Sequence, residues 1–212
     1  MQNLICKLTT DHCLFVSQGL KSDDVKSKKW LLELASSLKT TNGNGNSSGS
    51  KTLLVDSIEQ LTDFMSQLNK NDMATLPWPV IPHMLKEQEF WLAYLSDTAG
   101  YSLEDLLDTA VTEFEEHCAL ARDTLILEGL PEVATSKKIS SGIKALRDAY
   151  SGGSGKITDI LSVMKEIHQG THGVIQANKN SIGTSLVVHE YYEEMFWIQL
   201  IEEQLSLAKV RR

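Results

Sequence analysis

Apolar residues recur at intervals of three and four along most of this chain, the period of a helix with one buried face, and no segment reads as a strand. Leu4, Ile5, Leu8, Phe15 and Val16 predict a first helix, and Val25 to Leu38 a second. Leu53 to Leu68 predicts a third, with Asp56, Glu59, Gln60 and Asp63 on its wet side. Between the second and third, the Gly, Asn and Ser of "TTNGNGNSSGS" offer nothing to bury and predict a loop. The prolines of "LPWPVIP" mark a break that can begin a helix, and the fourth runs from about His83 to Asp97.

Four more helices follow. Ser102 is placed to cap one that reaches Glu128, and Gly129 before Pro131 is a stop followed by a new start. The next runs from near Pro131 to Tyr150, then Ile157 to about Ala177, then Ser185 to Lys209. The predicted class is all-α.

The second set repeats the first. "HMLKEQEFW" at His83 and "HEYYEEMFW" at His189 share His, Glu and Phe-Trp at the same spacing. In nearly the same register "DHC" at Asp11 meets "EHC" at Glu116, Leu20 meets Leu125, and the Gly/Ser-rich segments before Lys51 and Lys156 coincide. "SKK" at Ser27 and Ser136, and "NKN" at Asn69 and Asn178, match after a small insertion. The period is longer than the ~20–50 residues of a solenoid unit. It predicts a tandem duplication of a four-helix bundle with pseudo-twofold symmetry, residues 1–99 and 100–212.

Composition narrows the function. With 42% hydrophobic and 23% charged residues, 212 residues can bury a core. A net charge of -8 argues against a surface that tracks phosphates, so nucleic acid is not an expected partner. No stretch approaches the ~20 apolar residues of a membrane span, and the opening residues lack the apolar core of a secretory signal. Cys6, Cys13 and Cys118 are odd in number and lack Cys-x-x-Cys spacing, which fits reduced thiols in a cytoplasm.

The repeated polar residues carry the chemistry. His83 with Glu87, and His189 with Glu193, stand four apart on one helix face, with Cβ atoms about 5–6 Å apart. His12 and His117 add one imidazole from the first helix of each copy. Imidazole with carboxylate suits iron, manganese or zinc better than calcium, which takes oxygen alone. If each copy closes on itself, His12, His83 and Glu87 form one mononuclear site and His117, His189 and Glu193 another. If the copies pool their ligands, the six surround a metal pair that Glu87 and Glu193 can bridge, and the symmetry of a duplication favours this.

Other residues are weighed beside these. Phe90-Trp91 and Phe196-Trp197 are expected in the core. Cys13 and Cys118 diverge from the adjacent histidines and are expected to pack. Asp11 and Glu116 lie about 100° round the helix from the histidines, as a period of 3.6 requires, and Glu113 shares the face of His117 but is matched by Leu8. Glu89, Glu190 and Glu194 are expected in solvent. His168 and His172 form another i,i+4 pair without a counterpart in the first copy. "SGGSGKIT" fails the phosphate-loop pattern at Tyr150 and Ile157, and no His-Glu-x-x-His protease motif occurs.

"DHCLFVSQGL", "PVIPHMLKEQEFWLAYL" and "VVHEYYEEMFWIQL" together resemble a little-characterised family of bacterial metalloproteins built from tandem four-helix bundles, ferritin-like in style. The resemblance implies a metal site drawn from His12, His83, Glu87, His117, His189 and Glu193, and it names no reaction. The expectation is a cytoplasmic metal-binding protein with an iron or manganese pair, redox-active where open positions admit oxygen or peroxide. The alternative is a helical interaction module whose acidic surface docks a basic or helical partner.

Overall fold

The structure, a computed structural model, describes residues 1–42, 48–71, 80–96, 100–127, 135–151, 157–177 and 184–210. Among these every regular element is a helix. They are α1 (Gln2–Gly19), α2 (Val25–Asn42), α3 (Ser48–Asn71), α4 (Val80–Leu95), α5 (Leu103–Leu127), α6 (Thr135–Ser151), α7 (Ile157–Ala177) and α8 (Thr184–Val210). The chain divides into two compact units, Met1–Gly100 and Tyr101–Arg212, with four helices in each.

Several boundaries move outward from the sequence reading. α2 continues to Asn42 and α3 begins at Ser48, so both ends of the expected Thr40–Ser50 loop are helical. α4 begins at Val80, with Pro82 in its first turn, where a missing N–H costs no hydrogen bond. Gly129, Pro131, most of "LPWPVIP", the centres of both Gly/Ser-rich segments and the second "NKN" lie outside the described residues.

In the first unit α1 packs on α2, α3 on α4, and α1 also meets α3 and α4. The buried stripe of α1 is Ile5, Leu8, Thr9, His12, Cys13 and Val16, so His12 is carried inward by the same period that buries the aliphatics. Thr9 and Thr10 satisfy their buried hydroxyls by donating to the carbonyls of Ile5 and Cys6 one turn back. Leu31, Leu38, Ile58, Leu61 and Met65 complete this core. On α4 the stripe runs Ile81, Met84, Glu87, Gln88, Trp91 and Leu95, with His83 beside it.

In the second unit α5, α6, α7 and α8 pack in sequence and α8 closes back on α5. Ser102 is the expected cap: its hydroxyl accepts the Asp105 N–H at 3.1 Å, while the Asp105 carboxylate accepts the Ser102 N–H at 3.0 Å. Arg147 binds both carboxylate oxygens of Glu115, and the Tyr150 hydroxyl donates to Asp108, tying α6 to α5. Gly142 lets α6 approach α7 closely, since a Cβ there would lie 2.7 Å from Cγ1 of Ile167. The core includes Leu106, Phe114, Leu146, Met164, Phe196 and Ile201. α8 has no exposed residue between Leu186 and Ile198.

Candidate metal sites

In the first unit three polar side chains meet inside the bundle. The Nε2 of His12, from α1, lies 3.2 Å from Oε2 of Glu87, and the Nε2 of His83 lies 3.4 Å from Oε1 of the same carboxylate. One carboxylate therefore presents one oxygen to each imidazole. Trp91, one turn beyond Glu87, stacks on His12 with ring centroids 5.3 Å apart and planes 22° from parallel. The neighbouring Gln88, fully buried, places its amide Nε2 2.6 Å from Nδ1 of His12.

The second unit repeats this arrangement. The Nε2 of His117, from α5, lies 3.0 Å from Oε2 of Glu193, and the Nε2 of His189 lies 2.8 Å from Oε1. Two further carboxylates join it. Glu113 places Oε2 3.8 Å from Nε2 of His117, and Glu190 places Oε2 3.6 Å from its Nδ1. His117, Glu190 and Glu193 each bring one potential ligand atom within 4.8 Å of the others.

These separations match the edge of a metal coordination shell. Ligands about 2.1 Å from a common ion are about 3.0 Å apart in an octahedron and about 3.4 Å apart in a tetrahedron. The four Nε2-to-carboxylate distances of 2.8 to 3.4 Å fall in or close to that interval. The same spacing accommodates a proton shared between imidazole and carboxylate in metal-free protein.

None of the eight residues His12, His83, Glu87, Glu113, His117, His189, Glu190 and Glu193 is more than 5% exposed. Removing a carboxylate from water costs several kcal/mol unless a compensating charge sits beside it. A divalent ion supplies twice the compensation of an imidazolium. The buried histidines and glutamates of this helical protein can thus hold a metal ion.

All six residues expected from the sequence are buried at these positions: His12, His83 and Glu87 meet in one unit, and His117, His189 and Glu193 in the other. Two expectations are corrected. Glu190 and Glu194 are not solvated; each is 1% exposed, because α8 offers no wet side along this stretch. Glu190 faces His117, whereas Glu194 accepts the Thr171 hydroxyl at 2.8 Å and lies 3.2 Å from Nδ1 of His168. His168 also stacks on Tyr191 at 4.1 Å, and His172 is exposed. Glu89 is exposed as expected, and Asp11 pairs with Lys7 on the half-wet side of α1.

The thiols take no part. Cys6, Cys13 and Cys118 are free and buried. Burial pushes the Cys6 thiol up to about 11 and the Cys13 thiol up to about 12, and raises that of Cys118 further. Thiols held protonated are poor nucleophiles and poor metal ligands. Phe90, Trp91, Phe196 and Trp197 are all in the core.

Fold and site together define an all-helical protein with buried His/Glu sets able to hold a metal. Among the described residues no helix is long and apolar enough to cross a membrane. No protein-family model, curated protein or solved structure matches the chain.

Proposed function

We propose that this chain is a metal-binding protein whose ions are held by His12, His83 and Glu87 in the first repeat and by His117, His189 and Glu193 in the second. One observation carries the reading: in each repeat two imidazole Nε2 atoms converge on the two oxygens of one buried carboxylate. A His-Glu pair at i,i+4 on an amphipathic helix is common on surfaces. Two such pairs, both buried and each joined by a histidine from another helix, are not explained by packing, because apolar residues would fill the same volume without desolvating charge.

The finer form of the proposal is a dinuclear iron or manganese centre, with membership of the family of tandem-bundle metalloproteins; it rests on the duplicated sequence alone. Nitrogen with carboxylate oxygen suits both metals, and zinc is the competitor that affinity order favours. Iron or manganese at positions left open would supply oxygen or peroxide chemistry when bound. The protein's own contribution is a dry, fixed set of donors.

Elemental analysis of the wild type beside His83→Ala and His189→Ala tests the proposal after remetallation with iron, manganese or zinc. Two ions per chain are expected. Loss of both on either substitution supports the dinuclear form, and loss of one on each supports two mononuclear sites. No bound metal would sink the proposal and leave the interaction module as the better reading. Loaded protein should also be more stable than chelator-treated protein, by about 2.7 kcal/mol for each bound ion at a free-metal concentration of 100 Kd, or roughly 5–10 °C per ion for a chain of this size.

A further inference from the structure

The two repeats present different partners to the ring nitrogen that points away from the Glu87 or Glu193 carboxylate. On His12 that nitrogen, Nδ1, meets the amide of Gln88 at 2.6 Å. On His117 it meets the carboxylate of Glu190 at 3.6 Å, beyond a hydrogen bond but at ion-pair distance. The residue matching Gln88 in the second repeat is Glu194, which is turned to Thr171 and His168 instead. The residues matching Glu113 and Glu190 in the first repeat are Leu8 and Met84, both apolar and buried.

The consequence for metal binding follows from hydrogen-bond roles. An amide can present either end to a ring nitrogen; with Nε2 of Gln88 toward the ring, His12 Nδ1 is the acceptor. In the neutral ring the proton then sits on Nε2, the atom that faces Glu87 and that a metal would need. Binding a metal through Nε2 requires the proton to move to Nδ1. Gln88 can receive it: its Oε1 is buried without a hydrogen-bond partner, and half a turn of the amide exchanges Oε1 for Nε2. His117 needs no such turn, because a carboxylate at Nδ1 favours the proton there and makes Nε2 the better donor. Glu113 adds a further oxygen on the Nε2 side.

We infer that the repeats bind divalent metal unequally: the second, with Glu113 and Glu190 around His117, binds first and more tightly, and the first binds later because His12 meets only the neutral Gln88 amide where His117 meets a carboxylate. The inference rests on the metal reading above. Gln88 and Glu190 are positioning residues in this account, acting through the histidines.

The test is titration of the metal-free full chain with Mn²⁺, following the spin-resonance signal of the unbound ion. Wild type should show two classes of binding differing at least about tenfold in Kd, the lower end of what changing a hydrogen-bonding partner of a ligating histidine generally costs. Glu190→Gln should weaken the tighter class about tenfold and leave the weaker class in place. Gln88→Glu should strengthen the weaker class, a gain that mere loss of packing cannot produce, whereas Gln88→Leu should weaken it. Should Glu190→Gln fail to fold, Glu113→Gln probes the same class and should also weaken it. A single class of one or two ions in wild type would overturn the inference while leaving the metal reading intact, as would two classes that ignore Gln88→Glu and either glutamate change. No bound Mn²⁺ in wild type would overturn both.

Discussion

The first repeat sets His12 against a tryptophan face, a neutral amide and one carboxylate, whereas the second surrounds His117 with three carboxylates. Duplication preserved the two histidines and one glutamate of each set and changed what lies around them. The shared part is therefore the best guide to what both repeats do, and the differing part to how they differ in doing it. A leucine and a methionine in one copy stand where glutamates face the histidine in the other, so the second set carries two more carboxylates than the first.

The largest effect expected from breaking this contrast is at Trp91. Trp91→Ala should cost about 3–5 kcal/mol, as truncation of a large buried aromatic generally does, and should weaken metal at the first repeat by freeing the His12 ring. Trp91→Phe keeps a ring over the imidazole and should recover most of the binding. Paired melting and metal titrations check both, and unchanged binding in Trp91→Ala would remove the stack from the account.

Next in size is Gly142, where α6 approaches α7 in the second repeat. Gly142→Ala forces a Cβ to within 2.7 Å of Ile167 and should cost about 1–3 kcal/mol, with Ile167→Val recovering part of it. Denaturant unfolding of the single and double variants measures the coupling; simple additivity would mean that the contact relaxes elsewhere.

The smallest effect concerns how the repeats begin. α1 has no side-chain cap at Met1, whereas α5 has the reciprocal Ser102–Asp105 box. Ser102→Ala should cost about 1 kcal/mol. The hydroxyl of Ser102 holds the Asp105 carboxyl below its ordinary range. Its folded value is thus the lower one, so the cap's contribution is present above about pH 4, the ordinary range of an aspartate, and is lost as pH falls through the folded value. Acid melting curves of wild type and variant should converge at low pH.

Much of this was legible in the sequence. The three-to-four period marked all eight helices, of which α2 buries Leu31, Ala35 and Leu38 and α7 buries Ile160, Met164 and Ile167, and the i,i+4 rule put His83 with Glu87 and His189 with Glu193. What escaped were Gln88, Glu190 and Glu194, polar residues of types that usually face water. The signal was present in "VVHEYYEEMFWIQL", where aliphatic and aromatic residues occur on every side of the helix, so an acidic residue there has no wet face to occupy. Frequency arguments about glutamate failed because burial was set by its neighbours. The state of the Gln88 amide could not be read at all, since it depends on a ring nitrogen 76 residues away.

The stack of Trp91 on His12 also gives the first repeat an optical signal. Indole emission responds to whatever lies against its face, and here that is a candidate ligand at 5.3 Å between ring centroids. A paramagnetic ion taken up by His12 would darken Trp91 at once, so filling of this site could be watched by fluorescence without attaching any dye.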